Sequence, residues 1–168
     1  MHRGALKKYY GGLLTRLPIE GRETAWVVIN IHLSAFDRDP AQKARQLDAL
    51  FAQAGVWAAA GDAVVIGGDW NMQIDPAAFP HDPALRDPQW TYDFPRDRIP
   101  EGWQVATDPA VPTVRSMQQP WRRGENHLMV IDGFVVSPNV EVLSVTGRDL
   151  DFAHTDHHPV TLRARLRD

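Results

Sequence analysis

The stretch from Thr24 to Ile66 constrains the fold most. Thr24–Leu33 (TAWVVINIHL) is a run of β-branched and aromatic residues, which reads as a buried strand. Asp39 and Pro40 then signal a helix start, with Asp39 as the cap, Pro40 at the first helical position and Gln42 completing a capping-box-like pair. Ala44, Leu47, Leu50, Phe51 and Ala54 fall on one helical stripe. Ala63–Ile66 (AVVI) is a short apolar strand that runs into Gly67-Gly68. Strand, helix and strand in this order predict an α/β layered unit.

The rest of the chain divides in two. Asp75 to Gly124 holds nine of the 13 prolines, little periodicity and the scattered aromatics Trp90, Tyr92, Phe94, Trp103 and Trp121. It reads as a long surface connection packed by its own rings, of the kind that often contacts substrate. Leu128–Val136, Val140–Val145 and Val160–Leu166 read as three strands, with Ser137-Pro138-Asn139 as the turn between the first two. In the last of them Thr161, Arg163 and Arg165 alternate with Leu162, Ala164 and Leu166, which predicts a half-exposed strand.

Composition narrows the function. With 168 residues the chain has the length of one domain, and with no cysteine it has no disulfide framework, Cys zinc site or Cys nucleophile. A net charge of −3 gives no footprint for tight, non-specific duplex binding, although Arg115, Arg122 and Arg123 form a local cluster able to meet phosphates. No apolar run is long enough for a membrane span. Met1–Tyr10 carries cations without the apolar run of a secretory signal, so the expected compartment is the cytoplasm.

Four places put polar, metal-competent side chains at strand ends. Alternation sets Asn30 and His32 on one face of their strand. In Gly67-Gly68-Asp69-Trp70-Asn71 an apolar strand ends, the glycines relax the backbone, and Asp69 and Asn71 face the same way. Asp132 is a carboxylate inside an apolar strand, where a lone charge is costly and a protonated His is a natural partner. His154-Thr155-Asp156-His157-His158 packs three imidazoles and a carboxylate before the last strand. Carboxylates suit Mg²⁺ or Mn²⁺ and imidazoles suit zinc, nickel or proton transfer, so the metal stays open. One mechanism joins the four places. A hard cation on Asp156 polarises a phosphoryl oxygen, and His157, oriented by Asp132, is the base for water. His32 and Asn71 stabilise charge on the non-bridging oxygens, and Asp69 positions water or leaving group.

Asn30-Ile31-His32-Leu33, Gly68-Asp69-Trp70-Asn71, Ile131-Asp132 and Thr155-Asp156-His157-His158-Pro159-Val160 resemble, in order and spacing, the later motifs of the endonuclease/exonuclease/phosphatase (DNase I-like) superfamily. The resemblance implies a divalent-metal-dependent phosphodiesterase on a layered α/β sandwich. It implies that His32 and Asn71, with Asn30 and Trp70 beside them, meet the substrate. It also implies that Asp69 assists proton transfer or a second metal, that Asp132 orients His157, and that Asp156 is a metal ligand, with Asp69, Asn71 and His157 as further ligands. In that family the first His of the last motif is the catalytic one, which points to His157 over His158. The sequence departs from the pattern at Val130, where the family often has Arg, and at Thr155, where it has Ser. The family's early motifs, an Asn and a metal-binding Glu, have no counterpart before His32.

The expected architecture over residues 1–168 is therefore an incomplete sandwich of about one sheet with flanking helices. Its uncovered apolar face predicts a homodimer, because monomers rarely expose large apolar patches. His154, Asp151, Glu125 or a partner chain are the candidates for the absent ligand. The competing reading is an inactive remnant that serves as a dimerising or binding module. The Asp-His-His phosphoesterases are a weaker match, because their further Asp-rich motifs are missing.

Overall fold

The structure is a computed structural model of the chain, and it describes residues 11–35, 40–85 and 92–167. Asp39, the expected helix cap, Met1–Tyr10 and Trp90 lie outside the described residues. Strands β1 (Gly11–Pro18), β2 (Ala25–His32), β3 (Ala63–Asp69), β4 (Gln104–Ala106) and β7 (Asp132–Val136) form a mixed sheet in the order β1-β2-β3-β7-β4. β2 and β3 are parallel, joined by the crossover helix α1 (Pro40–Ala59), and every other pair in the sheet is antiparallel. β5 (Val114–Arg115) pairs with β6 (Leu128–Met129), and β8 (Val140–Gly147) pairs with β9 (Val160–Leu166).

The alternation of β2 sorts its side chains between two layers. Val27, Ile29 and Ile31 are buried against Leu47, Phe51 and Ala54 of α1, together with Val64, Ile66 and Trp70. Leu47, Phe51 and Ala54 belong to the expected helical stripe, with Leu50 partly buried beside them, and each fully buried aliphatic side chain contributes about 1.5–3 kcal/mol. On the opposite face Ala63, Val65 and Val136 meet Val140 from the β8–β9 hairpin, with Val142, Leu162, Ala164 and Leu166 packed around them. The second layer of the sandwich is thus one hairpin, as expected of an incomplete sandwich, and β9 alternates between exposed and half-buried residues.

Three expectations need correction. β1 was not legible in the sequence, because Gly11-Gly12 opens it and all of its residues are exposed, so no apolar alternation marks it. It forms a sheet edge, and the bidentate pair from Arg16 to the buried Asp62 (2.8 and 2.9 Å) ties it to the turn before β3. Leu128–Val136 is two strands in two sheets rather than one. The chain leaves β6 at Val130, whose carbonyl accepts from Ile74, and enters the main sheet at Asp132. The stretch Asp75 to Gly124 is no mere surface connection. Phe94 joins the main core, and Thr113, Val114 and Ser116 are buried beside β6.

Candidate active site

The register of the sheet brings three expected residues into one row. His32 ends β2 beside Asp69 at the end of β3, and Asp69 lies opposite Asp132 at the start of β7. Two carboxylates directly opposed across a strand pair repel each other. Burial, and next the charge of Asp132, push the Asp69 carboxyl above its ordinary pKa. Such a shift in a group at a sheet end is a mark of a functional site.

The end of β3 and the turn after it are shaped by two residues with positive φ. At Gly68 (φ 136°) a Cβ would lie 2.1 Å from the Ile31 carbonyl oxygen, so no side chain fits. Asn71 (φ 49°) turns the chain back, and its main-chain N–H donates to Asp69 Oδ1 at 2.8 Å. Its side-chain N–H groups donate to the Leu33 carbonyl (2.8 Å) and to Asp69 Oδ2 (3.1 Å). Lys43 of α1, almost fully buried, donates to the carbonyls of Ser34 (2.6 Å) and Asn71 (2.9 Å). One ammonium thereby joins the loop after His32 to the loop after Asp69.

The last motif closes the row. His157 Nδ1 lies 2.8 Å from Asp132 Oδ2, and since a carboxylate only accepts, Nδ1–H donates and Nε2 is left as the base. Nε2 faces Asp69 Oδ2 at 3.9 Å, while His32 Nε2 stands 3.5 Å from the same oxygen. Burial works against a charged His157 ring. The Asp132 hydrogen bond and the charges of Asp132, Asp69 and Asp156 outweigh it and raise the pKa. The Thr155 hydroxyl accepts the His157 main-chain N–H at 3.3 Å, the turn-forming role open to a Ser at that position. His158 is different in kind. It is buried, its Nδ1–H donates to the Pro112 carbonyl (2.9 Å), its Nε2 accepts from the Phe152 N–H (3.1 Å), and its ring stacks on Phe152. Both of its nitrogens are used in holding the loop.

Other expected residues are placed as follows. Asn30 is exposed on the His32 face of β2. Asp156 is half-buried and acts on the charge of His157. Trp70 is a correction, because alternation turns it away from Asp69 into the core, where it is fully buried against Phe51 and Phe94 and donates to the Gly133 carbonyl. Arg123 pairs with Asp149 and Asp151, and Arg122 stands 3.6 Å from Glu125, so two arginines of the expected phosphate-binding cluster meet carboxylates. Asp151 is further engaged by the Trp121 indole N–H, Glu125 by Gln119, and His154 is exposed.

The metal expectation meets a limit. Among the described residues no three or more His, Asp or Glu side chains are grouped so that they could hold a metal ion. The expected set of Asp69, Asn71, His157 and Asp156 is thus not gathered into a cage. The donors still have a consistent chemistry. Asp132 and Asp69 flank the His157 imidazole, and the charge of Asp156 also reaches it. That suits a hard cation taking one or two carboxylates and completing its shell with water and substrate oxygens, as Mg²⁺ does.

Comparison with known proteins fixes the fold. No protein-family model matches the chain, and no curated protein does. Solved structures do. One is the endonuclease/exonuclease/phosphatase of Beutenbergia cavernae, at 19% identity and TM-score 0.60 over 94% of this chain and 40% of that one. A second is the catalytic domain of Xenopus laevis APE2, at 20% identity and TM-score 0.58 over 93% and 56%. A third is ANGEL2, a 2′,3′-cyclic phosphatase solved with adenosine-2′,3′-vanadate, at 15% identity and TM-score 0.59 over 94% and 61%. The chain therefore has the DNase I-like fold of the endonuclease/exonuclease/phosphatase proteins. It spans 40–61% of the length of these structures.

Proposed function

We propose that the chain is a divalent-metal-dependent phosphodiesterase that attacks phosphorus with a water activated by His157. The observation that carries this reading is the His157 geometry, with Nδ1 fixed on Asp132 at 2.8 Å and Nε2 turned toward Asp69. A base held by one carboxylate, with its other nitrogen turned toward a second, is oriented to take a proton from water. His157 takes the proton of the attacking water as the new P–O bond forms. The bond to the leaving oxygen breaks, and that oxygen takes a proton from a water that Asp69 positions. His32 and Asn71 steady the non-bridging oxygens. A hard cation, Mg²⁺ or Mn²⁺, on Asp156 supplies polarisation of a phosphoryl oxygen when bound. The acidic net charge favours small or activated phosphodiesters over long duplex DNA. The likeness in fold to ANGEL2, a 2′,3′-cyclic phosphatase, supports the class.

The functional unit in this reading is a homodimer. Leu13, Leu14 and Leu17 of the edge strand β1 are exposed, and among the described residues one hairpin covers the outer face of the sheet. A second copy is the simplest cover for such a face. Sedimentation equilibrium is expected to give twice the chain mass, and a stable monomer at micromolar concentration rejects this part.

A second reading, an inactive remnant that acts as a dimerising module, is favoured by the missing cage of metal ligands among the described residues. Hydrolysis of a bis-aryl phosphodiester separates the two. The proposal expects turnover that chelation abolishes and Mg²⁺ or Mn²⁺ restores, and that His157→Ala or Asp156→Ala removes. No turnover with any divalent metal leaves the remnant. Turnover that survives either substitution overturns the site.

A further inference from the structure

Asp132 and His157 lie on separate elements, and a third segment holds them together. Residues 113–115 run between the two. Val114 pairs with Met129 on one side and with His157 on the other. The Arg115 main-chain N–H donates to the Asp156 carbonyl at 3.0 Å. Thr113 is the centre of this splint and is almost fully buried. Its N–H donates to the Met129 carbonyl and its carbonyl accepts the His158 N–H, each at 2.8 Å. Its hydroxyl oxygen accepts two successive main-chain N–H groups, from Ile131 at 2.9 Å and from Asp132 at 3.0 Å.

That last pattern is unusual for a strand. Successive N–H groups of an extended chain point to opposite sides, so two of them reach one oxygen only where the chain turns out of one sheet and into another. The turn falls here between β6 and β7, immediately before the catalytic carboxylate. Without an acceptor, both N–H groups would be left unpaired in a buried place, which folded proteins avoid. A hydroxyl on a short, stiff, β-branched side chain fills the position, and the same residue grips the His157-His158 turn through its carbonyl.

We infer that Thr113 is a positioning residue of the active site, whose hydroxyl sets where β7 begins and so places the Asp132 carboxylate on His157 Nδ1. The inference rests on the reading of Asp132 and His157 as the working pair. It goes beyond that reading in assigning a role to a residue outside the four motifs.

Spectra are recorded on the full chain in the presence of a chelator, and hydrolysis is measured with Mg²⁺ or Mn²⁺ restored. The ring Nδ1–H of His157, held on a carboxylate, gives a downfield proton resonance, assigned by its loss in His157→Gln. Thr113→Val keeps the shape and removes only the hydroxyl, and it is expected to lose or shift this resonance while the amide spectrum stays that of the folded chain. Thr113→Ser keeps the hydroxyl and the resonance. In hydrolysis of the bis-aryl phosphodiester, Thr113→Val is expected to lower kcat by about tenfold or more with KM within about twofold, and Thr113→Ser is expected to restore kcat. An unshifted resonance in Thr113→Val, or its loss in Thr113→Ser, overturns the inference. Should Thr113→Val fail to fold, amide exchange of the unmodified chain decides. Ile131 and Asp132 are expected to be protected like the interior of β7, and fast exchange at both overturns it. If the unmodified chain hydrolyses nothing, the functional reading falls, while the resonance and exchange still judge Thr113.

Discussion

Asp69 and Asp132 face each other across the β3–β7 pair, and the His157 ring lies between them, with Nδ1 2.8 Å from Asp132 and Nε2 3.9 Å from Asp69. The three side chains come from three separate parts of the chain, and each perturbs the others. Burial and Asp132 hold Asp69 above its ordinary pKa, so the folded protein resists its ionisation. Sites of this kind give up stability for function.

The first prediction follows from that cost. A group whose folded pKa is raised contributes stability that is full below its unfolded pKa and is lost as pH rises through the folded value. Ionisation of Asp69 therefore destabilises the fold as pH rises through that raised value. Asp69→Asn removes the charge and is expected to raise stability by about 1 kcal/mol at pH 7.5. The gain should vanish as pH falls and the carboxyl of the unmodified chain is protonated. Thermal melts at both pH values check this, and hydrolysis by the same variant is expected to be lost.

The pH dependence of His157 gives the second. Its raised pKa means that the stability of the charged pair with Asp132 is full below the ordinary imidazole value and is lost as pH rises through the folded one. The free base needed for catalysis forms only above that folded value. Asp132→Asn removes the hydrogen-bonded anion and leaves the opposing effect of burial in place. NMR titration of the metal-free protein is expected to show the His157 midpoint moving down in the variant. The acid limb of hydrolysis should move the same way, with the plateau lower by about 10²–10⁴-fold. An unmoved midpoint would show that Asp132 does not govern the ring.

A third prediction concerns the turn that presents Asp69. At Gly68 a Cβ meets a backbone oxygen rather than a flexible side chain, and the φ of 136° is one that residues with a side chain rarely adopt. Nothing nearby can give way without moving β2. Gly68→Ala is expected to cost about 3 kcal/mol or more, read from urea unfolding at constant m-value. A loss below about 1 kcal/mol would mean that the β2–β3 spacing is softer than its register implies.

These residues also show what was legible beforehand. His32, Asp69, Asn71, Asp132 and His157 announce themselves because polar groups at the ends of apolar strands contradict the burial pattern around them. Their convergence was legible only through the order of the motifs, since strand register is a long-range property. Trp70 departs from the expected substrate contact for a local reason. It sits between two site residues, but the period of a strand turns every second side chain into the core. Thr113 and β1 gave no signal. Thr113 is a single hydroxyl in a proline-rich stretch, and its role exists only once β6 and β7 diverge around it. β1 is an edge strand with every residue exposed, so nothing in its composition records its pairing.

Lys43 supplies the last prediction. A buried ammonium is costly unless its donors are used, and two of them here go to the carbonyls of Ser34 and Asn71. Gln46 adds to the same grip, since its Oε1 accepts from the Ser34 N–H and hydroxyl at 3.1 and 2.8 Å. Helix α1 thereby fixes the two loops that carry His32 and Asn71, and the left-handed φ of Asn71 is held by a contact from outside its own turn. Lys43→Met keeps the apolar stem, which is the part that packs, and removes the charge. Two carbonyls then lose a charged donor, at about 1–3 kcal/mol for the set. If the lysine served stability alone, activity per folded molecule would be unchanged. If it holds Asn71 in place, kcat measured well below the melting temperature should fall by about tenfold while the His157 titration stays where it was, because the Asp132–His157 pair lies on the far side of Asp69 and is anchored elsewhere. A variant with full kcat and only a lowered melting temperature would return Lys43 to a purely structural role.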